Sequence, residues 1–257
     1  MIRKRLIPRI LIQELNNNFV AILSKSFKLA SIAGDPISQF KIMESNMADE
    51  ISIIYKQAEN SNLNINFFQL LKDIVRVSAT PICAGGGIKS IEDVHDFMKI
   101  GIEKVVIPVS EKFDNLEIIK FAYNKFGRQS VQVSLDYIEV DDQYFIHKSQ
   151  TKLGSTDLIN IVGKYILAGA GEVVLTNVLR DGSKTGLDLK LIKIFKQSLS
   201  APIIASGGAN SQSNFAEALL LGADGVISGT YFAKKDHSLM QLRSSIVATG
   251  LSVRKLI

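Results

Sequence analysis

The sequence predicts a TIM (β/α)8 barrel built from two duplicated half-barrels. Residues 81–90 return in a similar form as residues 202–211, and both segments read as an apolar strand that ends in glycines. Short β-branched segments also alternate with helical patterns along the whole chain, which is typical of a parallel sheet covered by helices. We therefore expect a single domain over residues 1–257, with half-barrels at about 1–125 and 126–257.

Eight segments have the apolar, β-branched composition of buried strands, and the patterns between them have helical spacing. The predicted strands cover residues 6–12, 50–55, 80–84, 104–108, 132–136, 172–176, 202–205 and 225–228. The clearest predicted helices cover residues 91–100, 116–126, 156–168, 189–199 and 213–221. Eight such units in about 250 residues fit a barrel. A doubly wound sheet is the alternative, but it rarely combines eight units with duplicated halves.

Composition narrows the range of functions. The net charge of +5 suits an acidic ligand, but the basic residues form no run that would indicate nucleic-acid binding. Cys83 is the single cysteine, so no internal disulfide forms, and its apolar strand predicts a core thiol. The chain has three histidines, which include His237, and their spacing is not that of metal ligands. No apolar run is long enough to span a membrane. We expect a cytoplasmic protein without metal or cofactor.

Glycine clusters follow several predicted strands, at the edge where barrel enzymes bind their ligands. Backbone amides at a helix N-terminus bind phosphate without a cationic side chain. A cluster in each half suits a ligand with a phosphate at each end. The predicted phosphate-binding residues are Gly86 and Gly87 in the first half and Asp181, Gly182, Gly207, Gly208, Ser228, Gly229 and Thr230 in the second.

Two further features lie at opposite ends of the predicted strands. Asp136 ends a strand and is a candidate general acid or base, although a strand-end cap is the alternative. Four residues of alternating charge lie at or near the starts of predicted strands. There they would form ion pairs in a ring across the barrel. This ring is either a structural plug or a functional feature. They are Arg5, Glu50, Lys104 and Glu172.

Together these residues resemble the cyclase subunit of imidazole glycerol phosphate synthase, the HisF family. The resemblance covers almost the whole chain and is most specific between residues 169 and 186, which include Gly-Ala-Gly-Glu and Arg-Asp-Gly-Ser-Lys-Thr-Gly. It implies a phosphorylated ligand at one end of the barrel and a class I glutaminase docked at the other. It also implies that the four charged residues are a gate for ammonia, and that Asp136 is one of two catalytic aspartates.

The chain departs from this family in the first half. Where the family reads Ile-Pro-Cys-Leu-Asp, residues 7–11 read Ile-Pro-Arg-Ile-Leu, so Leu11 stands at the position of the second catalytic aspartate. Leucine transfers no proton. Tyr55 also replaces an aspartate, and Pro108-Val109 replaces an Asn-Thr pair. The losses fall at the predicted active-site mouth, whereas the second half and the four charges are retained.

Three functions fit this pattern. The first is a synthase subunit that passes ammonia from a glutaminase to an acceptor, similar to diverged relatives that accompany a sugar amidotransferase in surface-polysaccharide synthesis. The second is a working cyclase of histidine biosynthesis whose missing acid comes from elsewhere. The third is a non-catalytic barrel that binds phosphate and a partner. None of the three involves nucleic acid or a membrane.

Overall fold

The computed structural model describes residues 3–56, 64–111, 115–233 and 239–254. Strands and helices alternate through these residues. The strands are β1 (Arg5–Leu15), β2 (Asn18–Lys25), β3 (Lys28–Gly34), β4 (Ile51–Tyr55), β5 (Ile82–Gly85), β6 (Lys104–Pro108), β7 (Val131–Val140), β8 (Gln143–Ile146), β9 (Glu172–Asn177), β10 (Ile203–Ser206) and β11 (Gly225–Ser228). The helices are α1 (Pro36–Ser45), α2 (Ile65–Val77), α3 (Ile91–Ile100), α4 (Leu116–Phe126), α5 (Ser155–Ala168), α6 (Leu189–Ser198), α7 (Gln212–Leu220) and α8 (Leu239–Ala248).

Eight of the strands close into a parallel barrel, which confirms the predicted fold class. The barrel order is β1-β4-β5-β6-β7-β9-β10-β11, and β1 closes it by pairing with β11. In that last pairing Arg5 lies opposite Gly225 and Pro8 lies opposite Ser228. The first and last strands of the chain are therefore neighbours, and their carboxyl ends share one mouth.

Two hairpins extend the barrel beyond the predicted strands. β1 runs on to Leu15 and pairs with β2 in antiparallel fashion, and β3 adds a further strand to β2. β7 likewise runs on to Val140 and pairs with β8. Each half of the barrel thus begins with a strand that continues into a hairpin above the mouth. The sequence analysis predicts neither these hairpins nor α1, α2 and α8.

The local geometry of the glycine turns is nearly the same in both halves. The backbone φ angles are +99° and +86° at Gly86 and Gly87, and +88° and +98° at Gly207 and Gly208. Each turn leads to a helix capped by a serine hydroxyl: Ser90 accepts from the Asp93 amide, and Ser211 accepts from the Asn214 amide. These paired features are what a duplicated half-barrel would leave behind.

Apolar side chains pack in two layers. The larger one fills the space between the barrel and its helices and includes the fully buried rings of Phe40, Phe97, Phe195 and Phe215. The smaller one is a separate cluster of Ile7, Val174, Ile204 and Ile227. Because strand side chains alternate between faces, Ile7 and Val174 share their face with Arg5 and Glu172. This cluster therefore lies inside the barrel, along the four neighbouring strands β9, β10, β11 and β1.

Other expectations from composition concern the core and metal binding. Cys83 is a buried free thiol, and burial raises its pKa well above the ordinary value, as expected of a core thiol. The described residues contain no group of three or more metal-ligand side chains, and none of their helices is long and apolar enough to cross a membrane. His237 lies outside the described residues.

Candidate active site and ion-pair ring

Four charged side chains meet at the amino-terminal end of the barrel, and we call them the ion-pair ring: Arg5, Glu50, Lys104 and Glu172. One guanidinium nitrogen of Arg5 lies 2.9 Å from Glu50, and the other contacts Glu172. The Lys104 ammonium lies 2.5 Å from Glu50 and 2.9 Å from Glu172. Each charge therefore faces two of opposite sign, and the two carboxylates are almost completely buried.

The ring charges hold one another ionised. Burial would raise the pKa of Glu172, but the nearby charges of Arg5 and Lys104 outweigh it and hold that pKa below its ordinary value. Burial likewise opposes the charge of Lys104, and Glu50 and Glu172 outweigh it and raise the pKa. A ring of this kind is stable as long as all four members are present.

A large cavity opens at the other end of the barrel and descends towards the ring. This mouth cavity has a volume of about 520 Å³, and its deepest lining residues include Ser52 and Gln132. The Gln132 side-chain amide donates a hydrogen bond of 2.7 Å to Glu172 of the ring. Oε1 of Gln132 and Oε1 of Glu50 are buried without a hydrogen-bond partner among the described residues. Polar atoms therefore connect the floor of the cavity with the ring.

Asp136 and Leu11 line the same mouth cavity. The Ser134 hydroxyl donates to Oδ1 of Asp136 at 2.8 Å. Burial raises the pKa of Asp136, although Ser134 and the charge of Arg9 act against the shift. A carboxyl with a raised pKa in a cavity is suited to proton transfer. Asp136 is the only carboxylate among the described lining residues, because position 11 carries leucine.

Tyr55, Pro108 and the two glycines of the first half also line this cavity. A Cβ on Gly86 would lie 2.1 Å from the Tyr55 carbonyl oxygen, so only glycine fits at this turn. The Tyr55 ring stacks on Phe67 with 4.4 Å between centroids. The Tyr55 ring therefore packs towards α2, in the layer between the barrel and its helices, and position 55 offers no acid to the cavity. The first-half glycines have Lys56 and Lys89 as cationic neighbours in the lining.

The glycine-containing segments of the second half come together in a small pocket beside the mouth cavity. We call it the glycine cradle, defined by Gly182, Gly207, Gly208, Ser228, Gly229 and Thr230. A Cβ on Gly208 would lie 2.3 Å from the Gly186 carbonyl oxygen, and its φ of +98° also favours glycine. The sequence analysis names all six residues, but it misses two cationic side chains that line the same pocket, Arg9 and Lys184.

Asp181 borders the glycine cradle, but its carboxylate faces the first hairpin. It accepts hydrogen bonds from the Ser24 hydroxyl at 2.5 Å and from the Phe27 amide at 3.4 Å. The Phe27 ring in turn packs edge-on against His147, with 5.2 Å between centroids. Because a carboxylate repels phosphate, these contacts favour a role for Asp181 in holding the hairpin over the mouth rather than in contacting an anion directly.

Of the cationic side chains that the structure describes, Arg9 alone lines both the mouth cavity and the glycine cradle. It lies two residues after Ile7 on β1, so its side chain points into the barrel. Among the described residues Arg9 makes no ion pair, and its Nε is buried without a hydrogen bond. The sequence analysis records Arg9 only as a departure from a motif, although its inward register on the first strand is readable.

With this geometry in place, comparison with known proteins shows the family. The sequence pattern of the histidine biosynthesis protein family matches residues 5–238. The chain belongs to this family. Within this family, the HisF-like barrel is similar to three bacterial proteins. Each alignment covers at least 99% of this chain and at least 99% of the relative.

Two of these relatives are provisionally named imidazole glycerol phosphate synthase subunit hisF2. One is from Prochlorococcus marinus, with 32% identity, and the other is from Campylobacter jejuni, with 30% identity. The third is the imidazole glycerol phosphate synthase subunit HisF of Lysinibacillus sphaericus, with 29% identity. The identities to the hisF2 proteins and to HisF are close, so similarity alone does not separate the two kinds of relative.

Proposed function

We propose that this HisF-like barrel is the synthase-type subunit of a glutamine amidotransferase complex. It receives ammonia from a class I glutaminase docked at the ion-pair ring and passes it along the barrel axis to an acceptor. The acceptor reaction is the amidation of a surface-polysaccharide sugar, carried out with a sugar amidotransferase. The barrel itself does not carry out the cyclisation reaction of imidazole glycerol phosphate synthase.

One observation carries this proposal: the mouth cavity descends to Gln132, which hydrogen-bonds to Glu172 of the ion-pair ring. Buried polar atoms without partners are costly, and Oε1 of Gln132 and of Glu50 are two such atoms along this line. Ammonia is small, donates hydrogen bonds and carries no charge. It would satisfy these oxygens in passing without the desolvation cost of an ion.

The ring regulates this route by its own ion pairs. In the structure Lys104 contacts both glutamates, and Arg5 contacts both as well. Passage of a small molecule therefore requires at least one of these contacts to lengthen. The adjoining Gln132 amide, already bonded to Glu172, provides an alternative partner for that carboxylate while a cation moves away.

The missing carboxylate is what separates ammonia transfer from cyclisation. A cyclase of the HisF type needs an acid and a base on opposite sides of its ligand, and here Asp136 faces Leu11 in the mouth cavity. Asp136 retains its environment, with a raised pKa and a hydrogen bond from Ser134. A single such group binds or orients a ligand but leaves the second proton transfer without a donor.

Labelled glutamine tests the proposal. The barrel is mixed with a HisH-type glutaminase, a sugar amidotransferase and its acetamido-sugar acceptor. The glutamine carries ¹⁵N in its side-chain amide, and the buffer contains excess unlabelled ammonium. We expect product nitrogen to come mainly from glutamine. Product nitrogen in the isotope ratio of the bulk buffer, or a glutaminase that neither binds the barrel nor is activated by it, would contradict ammonia transfer through the barrel.

A working cyclase of histidine biosynthesis is the second candidate. The glycine cradle, the first-half glycines and Asp136 favour it, since together they retain the layout of a site for a two-phosphate ligand. Binding of that ligand without turnover would leave the ammonia-transfer proposal standing. Binding of phosphate without any affinity for a glutaminase would instead favour a non-catalytic interaction barrel.

A further inference from the structure

The two inward-facing arginines of β1 have opposite surroundings. Arg5 contacts two carboxylates of the ion-pair ring. Arg9 lies four residues further along the same face of β1. It makes no ion pair among the described residues and has a buried Nε without a hydrogen bond. A guanidinium has five donors and is always charged. Leaving it unpaired inside a barrel costs free energy, which a bound anion would offset.

The groups that face Arg9 do not supply that anion. The acid in the described lining of the mouth cavity is Asp136 on β7, whose charged form Arg9 favours but which makes no ion pair with Arg9. Asp181 at the glycine cradle instead accepts hydrogen bonds from Ser24 and Phe27. Leu11 on the same face of β1 is apolar. The remaining charged groups around the mouth cavity are cationic: Lys56, Lys89 and Lys148. The described lining therefore carries an excess of positive charge.

Position favours one kind of anion over another. Arg9 borders the glycine cradle, where the Arg9 carbonyl oxygen lies 3.2 Å from the Cβ position of Gly229. It also borders the mouth cavity that contains Asp136. A group bound by Arg9 would thus be next to both a phosphate in the cradle and the Asp136 carboxylate. A planar monoanion matches the fork of the guanidinium and is repelled less by these neighbours than a second dianion would be.

We propose that Arg9 is a specificity-determining residue that binds a carboxylate on the ligand whose phosphate occupies the glycine cradle. The ligand class is accordingly a phosphorylated sugar or polyol acid. The exchange of residue types at positions 9 and 11 gives the site one more cation and one carboxylate fewer than the resembled HisF motif, which is the change that an acidic ligand requires. This inference does not depend on ammonia transfer; it assumes only the phosphorylated ligand that the resemblance to HisF implies.

Calorimetric titration with three probes tests the inference. The probes are 6-phosphogluconate, sorbitol 6-phosphate, which has the same length without the carboxylate, and inorganic phosphate. For the unchanged protein we expect 6-phosphogluconate to bind at least about tenfold more tightly than sorbitol 6-phosphate, the value of one charge-assisted hydrogen-bond pair. In Arg9→Met that preference should disappear while sorbitol 6-phosphate still binds. In Arg9→Lys, which keeps the charge without the fork, it should be reduced.

The outcomes separate the carboxylate subsite from the phosphate site. Equal affinity of the unchanged protein for the two six-carbon probes would overturn the inference and leave the cradle intact. An equal loss of both in Arg9→Met would also overturn it, because Arg9 would then belong to the phosphate site. Failure of all three probes, inorganic phosphate included, would overturn the inference and weaken the cyclase candidate, whereas ammonia transfer is tested separately by the labelled glutamine. The melting temperature of each variant confirms that it is folded.

Discussion

The two ends of the barrel use charge in opposite ways. At the amino-terminal end the four members of the ion-pair ring satisfy one another, and their carboxylates are almost completely buried. At the carboxyl end Arg9 has no ion-pair partner among the described residues, and Asp136 is the sole carboxylate in the described lining of the mouth cavity. The charges of the ring are paired within the protein, whereas we infer that Arg9 is paired only when a ligand is bound.

The two ends of the barrel should differ most in stability when the two arginines of β1 are removed one at a time. Arg5→Met leaves Glu50 and Glu172 with Lys104 as their remaining cation in the ring, and we expect a loss of about 3 kcal/mol in the free energy of unfolding. Arg9→Met removes a partly buried cation that has no ion pair, so we expect no loss and a gain of at most about 1 kcal/mol in the ligand-free protein. Urea unfolding at pH 7 measures both.

A surface ion pair provides the control for these variants. Lys190 lies 2.6 Å from Asp142, and both side chains are largely exposed. Asp142→Asn should leave the urea midpoint unchanged, because solvent screens exposed pairs. Equal losses in Arg5→Met and Arg9→Met would show that the two ends of the barrel do not differ in the way described.

Replacing glycine by alanine should have opposite effects on stability at a crowded turn and at an uncrowded helix position. In Gly207→Ala the new Cβ would lie 2.6 Å from the Asn177 carbonyl oxygen, at a φ of +88°, and we expect a loss of about 2 kcal/mol. Gly163 in α5 has no atom within 4 Å of its Cβ position, so Gly163→Ala should gain about 0.5–1 kcal/mol. Thermal unfolding compares the two, and a Gly207→Ala protein as stable as the parent would refute the fit of the cradle.

The pH dependence of Asp136→Asn sharpens the account of the mouth cavity. Burial raises the pKa of Asp136 above its ordinary 3.8. Between the ordinary and the raised value the native state binds more protons than the unfolded chain, so stability falls as pH rises through that window. Above this pH window the wild type contains a buried, ionised carboxylate, and the free-energy cost of its desolvation is absent in the asparagine variant. The variant should therefore be the more stable protein at pH 7, and its advantage should vanish near pH 3.8.

Melting temperatures of both proteins from pH 7 downwards measure this difference. A variant that is less stable than the parent at neutral pH would mean that Asp136 is held ionised by a favourable contact, most plainly Arg9. That result would contradict the inference that Arg9 has no anionic partner until a ligand binds.

The barrel strands are predictable from sequence because each is a short apolar segment between helical patterns. The hairpins are not, since most side chains of β3 are exposed and carry no burial pattern. The glycine turns and the ring residues are readable as local motifs at strand ends. Arg9 and Lys184 are not readable as part of the cradle. Arg9 reaches Gly229 only because the barrel closes β1 onto β11, a pairing between distant parts of the chain that no local pattern shows. Lys184 borders the cradle from the loop after β9.

Cyclase turnover decides between ammonia transfer and cyclisation. The purified barrel is given the two-phosphate ribulosyl substrate with saturating ammonia at alkaline pH, which removes any need for a glutaminase. The HisF of Lysinibacillus sphaericus serves as the active control, and Leu11→Asp asks whether one carboxylate restores the reaction. We predict no product above the uncatalysed rate from the unchanged protein. Product at a rate near that of the control would contradict the account and identify the protein as a working cyclase.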